Sequence, residues 1–284
     1  MSGPIPEWVL TASVAVTLFA VMFSVGLGVA PGDLRCIWQR PGPMARGLFS
    51  VLIAVPALGL AITRVLDLPR LVEVGIMLMA ISPGAPVALR RSLSAGGHQA
   101  FAPSLQISTV ILATVSVPLS IAVLNPLYAG HASIAPWEVA RQVFVAQLLP
   151  LGLGAALKHA STAIAARVEP RLKQIGTMLL IVTVILLLID VWEGTVTAGF
   201  RVLAAILLLT GAALTVGHLL GGPDPAMRTA VAISSAARNA GLALLVATLN
   251  AAPPQITATI LAYLVVSVIA IVPYVAWRRR AGSN

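Results

Sequence analysis

The chain has 284 residues, of which 58% are hydrophobic and 10% are charged, and its mean hydropathy is +0.97. Soluble domains are typically about 45–50% apolar and about 25% charged, so this composition argues against a soluble globular protein. The net charge of +9 does not indicate nucleic-acid binding, because the basic residues lie in short segments between apolar runs, where membrane topology accounts for them. The composition predicts an integral membrane protein in a lipid bilayer.

Apolar runs long enough to cross a bilayer recur along the whole chain. A transmembrane helix needs about 20 mostly apolar residues, and charges and Pro/Gly clusters divide this chain into nine such runs. The predicted spans are 8–30, 44–64, 71–90, 99–124, 138–158, 173–192, 199–220, 226–250 and 256–277. The first run is preceded by no Lys or Arg and is long for a signal peptide, so it is predicted as the first transmembrane helix. The expected fold class is all-α transmembrane.

The basic residues predict the orientation. Alternate loops place 13 of the 18 basic residues on one side of the membrane and four on the other, while Arg238 falls inside a span. The 13 are Arg35, Arg40, Arg46, Arg90, Arg91, Lys158, Arg167, Arg171, Lys173, Arg228, Arg278, Arg279 and Arg280; the four are Arg64, Arg70, Arg141 and Arg201. Loops rich in Lys and Arg stay cytoplasmic. We therefore predict a plasma (inner) membrane protein whose N-terminus is outside and whose C-terminus is cytoplasmic.

The third predicted span does not have the sequence of an ordinary helix. Pro83, Gly84 and Pro86 lie in its second half, and each proline removes an intrahelical hydrogen bond. Two interpretations are open. The span is either a kinked packing helix or a discontinuous helix whose free peptide groups help to form a site, as in many secondary transporters.

The eighth predicted span contains "AISSAARNAGLALL", whose small residues, Gly241 among them, let helices approach closely. In a continuous helix Ser234 and Arg238 share one face, and Ser235 and Asn239 share the next. A polar stripe is therefore expected along this span.

Arg238 is the charge that needs an explanation. It lies about 12 residues, or roughly 18 Å, from either end of its span, and an arginine at the centre of a membrane helix costs about 2.5–3.5 kcal/mol on insertion scales. No acidic residue is an obvious partner, although Glu73 or Asp190 would reach inward if a helix is shifted. Arg238 is either a packing residue held by an ion pair or by carbonyls, or a fixed cation in a polar cavity that binds an anion.

Three stretches resemble the bile acid:sodium symporter family in the same order: "VMFSVGLGVAPGDL" (21–34), "SPGAP" (82–86) and "SSAARNAGLA" (234–243). The resemblance covers nearly the whole chain. It implies an inverted-repeat transporter fold in a nine-helix variant, with a panel domain at 8–30 and 138–193 and a core domain at 42–124 and 198–277. In the core, two broken helices at about 71–90 and 226–250 cross near the midplane, with Pro83, Gly84, Pro86 and Gly241 in their broken backbone.

The resemblance also shows where the sodium sites of the family are altered. Asn239 is kept, but Ser234 stands at a glutamate position, Arg238 at a glutamine position, Ala88 and Leu89 at a Ser-Asn pair, and Ala102 and Gln106 at two hydroxyl positions. A guanidinium about 4 Å from a sodium ion repels it by about 4 kcal/mol at an effective dielectric constant of 20. We expect no functional sodium site, no metal and no cofactor. The guanidinium is expected to bond the exposed carbonyls of the broken helices in place of the ion.

The predicted function is sodium-independent secondary transport of a small organic anion by alternating access. Arg238 is expected to bind a carboxylate or sulfonate, and the expected hydrogen-bonding residues are Ser82, Gln106, Ser234, Ser235 and Asn239. Arg90 and Arg91 are expected at the cytoplasmic mouth.

The alternative is a transporter-like receptor or regulator that binds its ligand without moving it. The chain has no HExxH or GxSxG motif and no paired carboxylates within a span, so it is not expected to be an enzyme. His98 and His218 lie near span ends and are poor candidates for proton coupling. Uniport, exchange and sodium-independent export stay open, as does the oligomeric state.

Overall fold

The computed structural model describes residues 6–29, 32, 35–128, 134–190 and 199–281. All regular secondary structure in these residues is helical. The predicted all-α transmembrane class is therefore confirmed.

The helices are numbered in chain order through the described residues. Their bounds are α1 Glu7–Gly28, α2 Arg35–Gln39, α3 Pro41–Phe49, α4 Val55–Val65, α5 Arg70–Ala80, α6 Pro86–Ser94, α7 Phe101–Leu124, α8 Pro136–Val143, α9 Leu149–Ala160, α10 Thr162–Asp190, α11 Phe200–Leu220, α12 Pro225–Ala236, α13 Ala240–Leu249 and α14 Pro254–Ala281. A π-helical turn at Ser50–Ala54 joins α3 to α4, and a second at Phe144–Leu148 joins α8 to α9. A 3₁₀ turn at Asn125–Tyr128 follows α7.

Eight helical stretches of the described chain are long and apolar enough to cross a membrane. They are Trp8–Gly28, Pro41–Val65, Phe101–Tyr128, Pro136–Ala160, Thr162–Ile189, Phe200–Leu220, Pro225–Leu249 and Pro254–Ala281. The remaining predicted span, 71–90, consists of the two short helices α5 and α6, neither of which is long enough by itself. The nine-span count and the inverted repeat stay predictions.

Glycines let several pairs of helices pack in close contact. A Cβ built on Gly26 of α1 would lie 3.0 Å from the backbone nitrogen of Ala155 in α9. A Cβ on Gly217 of α11 would lie 2.6 Å from the Cα of Ala232 in α12. Such small-residue contacts replace hydrophobic burial as the basis of helix association in a membrane.

The helices fall into two groups by their main contacts. α1 packs chiefly on α9 and α10, whereas α11 packs on α12, α14 and α4, and α5 packs on α14. The groups touch where α1 meets α13 and where α7 meets α8. The division into a panel domain and a core domain stays a prediction.

The eighth span lies at the centre of the molecule. In its most apolar window Pro225–Leu249 is 94% buried within the protein, whereas Thr162–Ile189 is only 17% buried. Most side chains of α12 and α13 therefore face other helices rather than lipid, and polar groups among them are shielded from both lipid and water.

Candidate functional site

The third predicted span is broken at its midpoint. α5 ends at Ala80 and α6 begins at Pro86, and Pro83 and Gly84 lie in the unwound segment between them. Gly84 has a φ of +77°, a left-handed conformation that is costly for residues with a side chain. Pro86 is the first residue of α6, where its missing N–H costs nothing. Of the two interpretations of this span, the structure has the discontinuous helix.

The eighth predicted span is broken as well. α12 ends at Ala236 and α13 begins at Ala240. Ala237 has ψ 106° and Asn239 has ψ 86°, both outside the helical region. The Asn239 Oδ1 accepts a hydrogen bond of 3.1 Å from the Leu242 N–H and so caps α13.

The break changes two sequence expectations. The stripe that paired Ser234 with Arg238 and Ser235 with Asn239 is wrong, because that spacing aligns side chains only in a continuous helix and the chain is extended between the members of each pair. Gly241 lies in the first turn of α13 rather than in the break.

The two breaks are in direct contact. The Asn239 N–H donates a hydrogen bond of 2.9 Å to the Ser82 carbonyl, so each unwound segment satisfies a backbone group of the other. A Cβ on Gly84 would lie 2.9 Å from Val110 Cγ2 of α7, and one on Gly241 would lie 3.3 Å from Leu18 Cδ1 of α1. α7 therefore packs against the first break, and α1 covers the start of the second half-helix.

The guanidinium of Arg238 binds a single carbonyl. Nη1 and Nη2 each donate a 3.0 Å hydrogen bond to the Val51 oxygen. Val51 lies in the first π turn, where the Val55 N–H donates to Ser50 and the next residue, Pro56, has no N–H to offer. The Val51 carbonyl therefore depends on Arg238. The sequence predicts that the guanidinium bonds carbonyls of the broken helices. The carbonyl that it binds, that of Val51, instead belongs to the second predicted span.

Arg238 is 4% exposed, and none of the carboxylates in the described part of the chain forms an ion pair with it. Glu73 is buried elsewhere, between Arg64 and Arg70 at 2.7 Å from each. The side chain of Asp190 lies outside the described residues. Among the described residues, the hydrogen-bond acceptor of the Arg238 guanidinium is therefore a carbonyl dipole and not a carboxylate.

Unused hydrogen-bonding groups surround the crossing. Four of the buried side-chain atoms that have no partner among the described residues belong to the two breaks and to α7: Arg238 Nε, Asn239 Nδ2, Gln106 Nε2 and Ser82 Oγ. The three nitrogens are donors and the hydroxyl can donate. Gln106 lies one turn before Val110, on the side of α7 that faces the first break. The site thus offers one cation and a surplus of donors, a combination that suits an anion.

The two other predicted polar residues lie on the last turn of α12. The Ser235 Oγ is 2.8 Å from the Ser50 Oγ in the first π turn, so it already has a partner. Ser234 is buried beside it. Ala88 and Ala102 are buried, and Leu89 is partly buried; none of the three has a side-chain oxygen to offer a cation.

The two histidines considered for proton coupling, His98 and His218, have ordinary hydrogen bonds. The His98 Nδ1 accepts from the Phe101 N–H at 3.1 Å, and the His218 Nδ1 lies 2.8 Å from the Tyr274 hydroxyl. Arg90 and Arg91 lie in α6, on the side of the first break that is predicted to be cytoplasmic.

Ser50, Val51 and Gln147 belong to the polar interior but were not identified from the sequence. Ser50 and Gln147 are each a polar residue within an apolar run, which is a usable signal. Val51 contributes its backbone carbonyl, which the side-chain pattern does not reveal. The sequence signal for it is Pro56, which has no N–H to donate to the carbonyl five residues earlier.

Comparison with known proteins assigns the chain to a family. A profile described as "Sodium Bile acid symporter family" matches residues 15–198, about two thirds of the chain. The chain is 23% identical over 255 residues to the Bacillus subtilis protein named "Uncharacterized sodium-dependent transporter YocS", which covers 86% of this chain and 76% of that protein. The human "P3 protein" is 26% identical over 142 residues, which cover 50% of this chain but only 30% of the human one. The chain therefore belongs to the Sodium Bile acid symporter family.

Proposed function

We propose that this chain is a secondary transporter that moves a small organic anion across the plasma membrane by alternating access and without sodium. Its family supports the transport of a small molecule through a membrane. The observation that carries the rest is Arg238, a buried cation with no ion pair among the described residues, together with three further unused donors on the two breaks and on α7.

Energetics favour an anionic ligand. A buried charge without a counter-charge costs several kcal/mol, whereas a hydrogen bond to a charged group contributes only about 1.5–3 kcal/mol. The Val51 carbonyl therefore offsets part of the cost of burying Arg238. A carboxylate or sulfonate would supply the missing charge, and Arg238 Nε, Asn239 Nδ2 and Gln106 Nε2 would donate to its oxygens.

The residues at the family's sodium positions support the proposed sodium independence. A hard cation prefers oxygen ligands, but Ala88, Leu89 and Ala102 provide no side-chain oxygen, and the guanidinium of Arg238 repels a cation. The relative in Bacillus subtilis carries "sodium-dependent" in its name. By its resemblance to the family, this chain has Arg238 where a glutamine is usual, and we propose that it has lost sodium coupling.

Alternating access requires one group of helices to move relative to the other. The two breaks are held together by the bond from Asn239 to Ser82, so we propose that they move as one body. The predicted panel, α1 with α8, α9 and α10, would then rock against this body and expose Arg238 to each side in turn. By the distribution of basic residues, the N-terminus faces outside and the C-terminus faces the cytoplasm.

Flux measurements with purified protein in proteoliposomes test the proposal. The probes are a panel of labelled carboxylates and sulfonates that includes a bile acid, each measured in sodium and in choline at constant ionic strength. We expect saturable uptake that agrees within about twofold between the two salts. Arg238→Gln should weaken the apparent affinity at least about tenfold, because truncating one member of a buried charge pair costs about 2–5 kcal/mol.

Arg141→Gln is the matched control, because the Arg141 side chain is 71% exposed. Three results contradict the proposal. A steep rise of uptake with sodium rejects sodium independence, and unchanged flux in Arg238→Gln rejects the anion site. Saturable binding without flux would make the protein a ligand-binding receptor instead.

A further inference from the structure

Outside the crossing, a buried glutamine lies near the middle of its span without a hydrogen-bond partner in the described part of the chain. Gln147 is fully buried in the second π turn, near the centre of the span Pro136–Ala160. Neither its Nε2 nor its Oε1 forms a hydrogen bond with any described group. Burying an amide without hydrogen bonds lowers the stability of a protein by about 1–3 kcal/mol by mutational data. Leucine or methionine at this position would not carry this desolvation cost.

Gln142 of the same span shows the ordinary arrangement. Its Oε1 accepts a hydrogen bond of 3.2 Å from the Asn250 Nδ2. The fold thus gives the Gln142 amide a hydrogen-bond partner, whereas the Gln147 amide has none among the described residues. The fold itself gives no use for the amide of Gln147.

The position of Gln147 connects it to the crossing. The π turn packs against α1 and against α7. On α1, Leu18 contacts the start of the second half-helix at Gly241, and α7 carries Gln106. Gln147, Leu18 and Arg238 each lie near the middle of their own span, so they share about the same depth in the membrane. Gln147 therefore lies at the boundary between the predicted panel and the predicted core.

We propose that Gln147 binds an uncharged polar group of the substrate while Arg238 binds its anionic group. This inference rests on the proposed function. A carboxamide has both a donor and an acceptor, which complement a hydroxyl or an amide. A site with buried hydrogen-bonding groups rejects an analogue that leaves them unpaired. The preferred substrate is then a hydroxylated or amide-bearing anion rather than a plain hydrocarbon acid.

Matched probe pairs test this specificity. The pairs are lactate with propionate and cholate with 5β-cholanate, whose members differ only in hydroxyl groups. We expect wild-type protein in proteoliposomes to prefer the hydroxylated member of at least one pair by about tenfold, the value of one neutral hydrogen bond. Gln147→Met, which is close to isosteric, should bring the ratio within about twofold and leave the affinity for the hydrocarbon acid unchanged.

Gln142→Met is the control and should keep the wild-type ratio. An unchanged ratio in Gln147→Met, or no preference in the wild type for either pair, overturns the inference. Unfolding of both Gln147→Met and Gln147→Leu also overturns it, because the amide would then be structural. If hydroxylated and hydrocarbon anions are transported equally, only this inference fails. If no anion of the wider panel is transported, the proposed function fails as well.

Discussion

Arg238 shows how one residue can serve both the fold and a ligand. Its two Nη groups satisfy a carbonyl that Pro56 leaves without a backbone donor. The hydrogen bonding contributes about 1.5–3 kcal/mol, against a cost of about 2.5–3.5 kcal/mol for placing an arginine at the centre of a span. The carbonyl therefore offsets much of the insertion cost, while the Arg238 Nε, which has no partner among the described residues, is left for a ligand.

The residues at the altered sodium positions give the first prediction. Ser234→Glu combined with Arg238→Gln returns a carboxylate and an amide to the two positions at the crossing, and we expect the double variant to bind sodium. At a sodium concentration ten times the dissociation constant, binding adds about 1.4 kcal/mol to the free energy of unfolding. The melting temperature in detergent should then rise by a few degrees when sodium replaces choline.

Wild-type protein and the single variant Arg238→Gln, which lacks the carboxylate, are the controls for this prediction. Neither should respond to sodium at constant ionic strength. A sodium-dependent rise in the melting temperature of the wild type, or none in the double variant, would contradict the interpretation of these positions.

The sequence identifies Arg238 but not its partner, and the reason is physical. A charge inside an apolar run is visible in the sequence, and so are the hydroxyls and amides near it. The Val51 carbonyl is a backbone group, and it becomes free only through the π turn. Gln147 was visible as a polar residue within a span, but whether an amide has partners depends on its neighbours from α1 and α7.

At the scale of helices, prolines mark some interruptions and leave others unmarked. Pro83 and Pro86 predicted the first break. A proline lies two residues after the end of each π turn: Pro56 after the first and Pro150 after the second. The N–H of the residue before each proline donates its hydrogen bond to the carbonyl five positions earlier. Residues 226–239, which lead into and form the second break, contain no proline and no glycine. The local signal for this break is Asn239, a residue type that often caps the start of a helix.

The first break gives the second prediction, which compares two glycines of similar backbone conformation. Gly84 has φ +77° and Gly96 has φ +81°. A Cβ at Gly96 would have no atom within 4 Å, whereas a Cβ at Gly84 would lie 2.9 Å from Val110 Cγ2. Gly96→Ala should lower the free energy of unfolding by about 1–2 kcal/mol through backbone strain alone. Gly84→Ala should cost about 1–3 kcal/mol more through overpacking.

Thermal unfolding in detergent measures both variants, and Val110→Ala completes a double-mutant cycle with Gly84→Ala. Removing the valine methyl groups should relieve the extra cost at Gly84 and leave the backbone strain. Equal destabilisation by Gly84→Ala and Gly96→Ala would mean that α7 does not pack tightly on the break.

At the scale of the whole molecule, α14 ties the two broken helices together at the predicted cytoplasmic end. Arg278 donates to the Pro225 carbonyl at the start of α12 at 3.0 Å. Arg279 donates to the carbonyl and the hydroxyl of Ser94 at the end of α6, each at 2.9 Å. With the contact between Ser82 and Asn239 at the centre, α6 and α12 are joined at two levels, which favours their movement as one unit.

The helices of the predicted panel are joined to this unit differently at the predicted outer end. There, the hydrogen bond between Gln142 and Asn250 connects α8 to the end of α13 at 3.2 Å. A bond between neutral side chains contributes only about 0.5–1.5 kcal/mol, so it can break and reform during transport. If panel and core rock against each other, this contact must open whenever the site faces outside.

Crosslinking across that contact tests whether the two groups move. In a Cys36→Ser background, Gln142→Cys and Asn250→Cys joined by a short, reducible bifunctional thiol reagent should abolish flux, and reduction should restore it. The control pair is Thr17→Cys and Thr183→Cys, which replaces two hydroxyls 2.9 Å apart between α1 and α10. Both helices belong to the predicted panel, so this crosslink should leave flux within about twofold of the uncrosslinked protein.

Full flux through the protein crosslinked between residues 142 and 250 would mean that transport does not require these helices to separate. Loss of flux in the control pair would instead place the moving boundary inside the predicted panel, between α1 and α10.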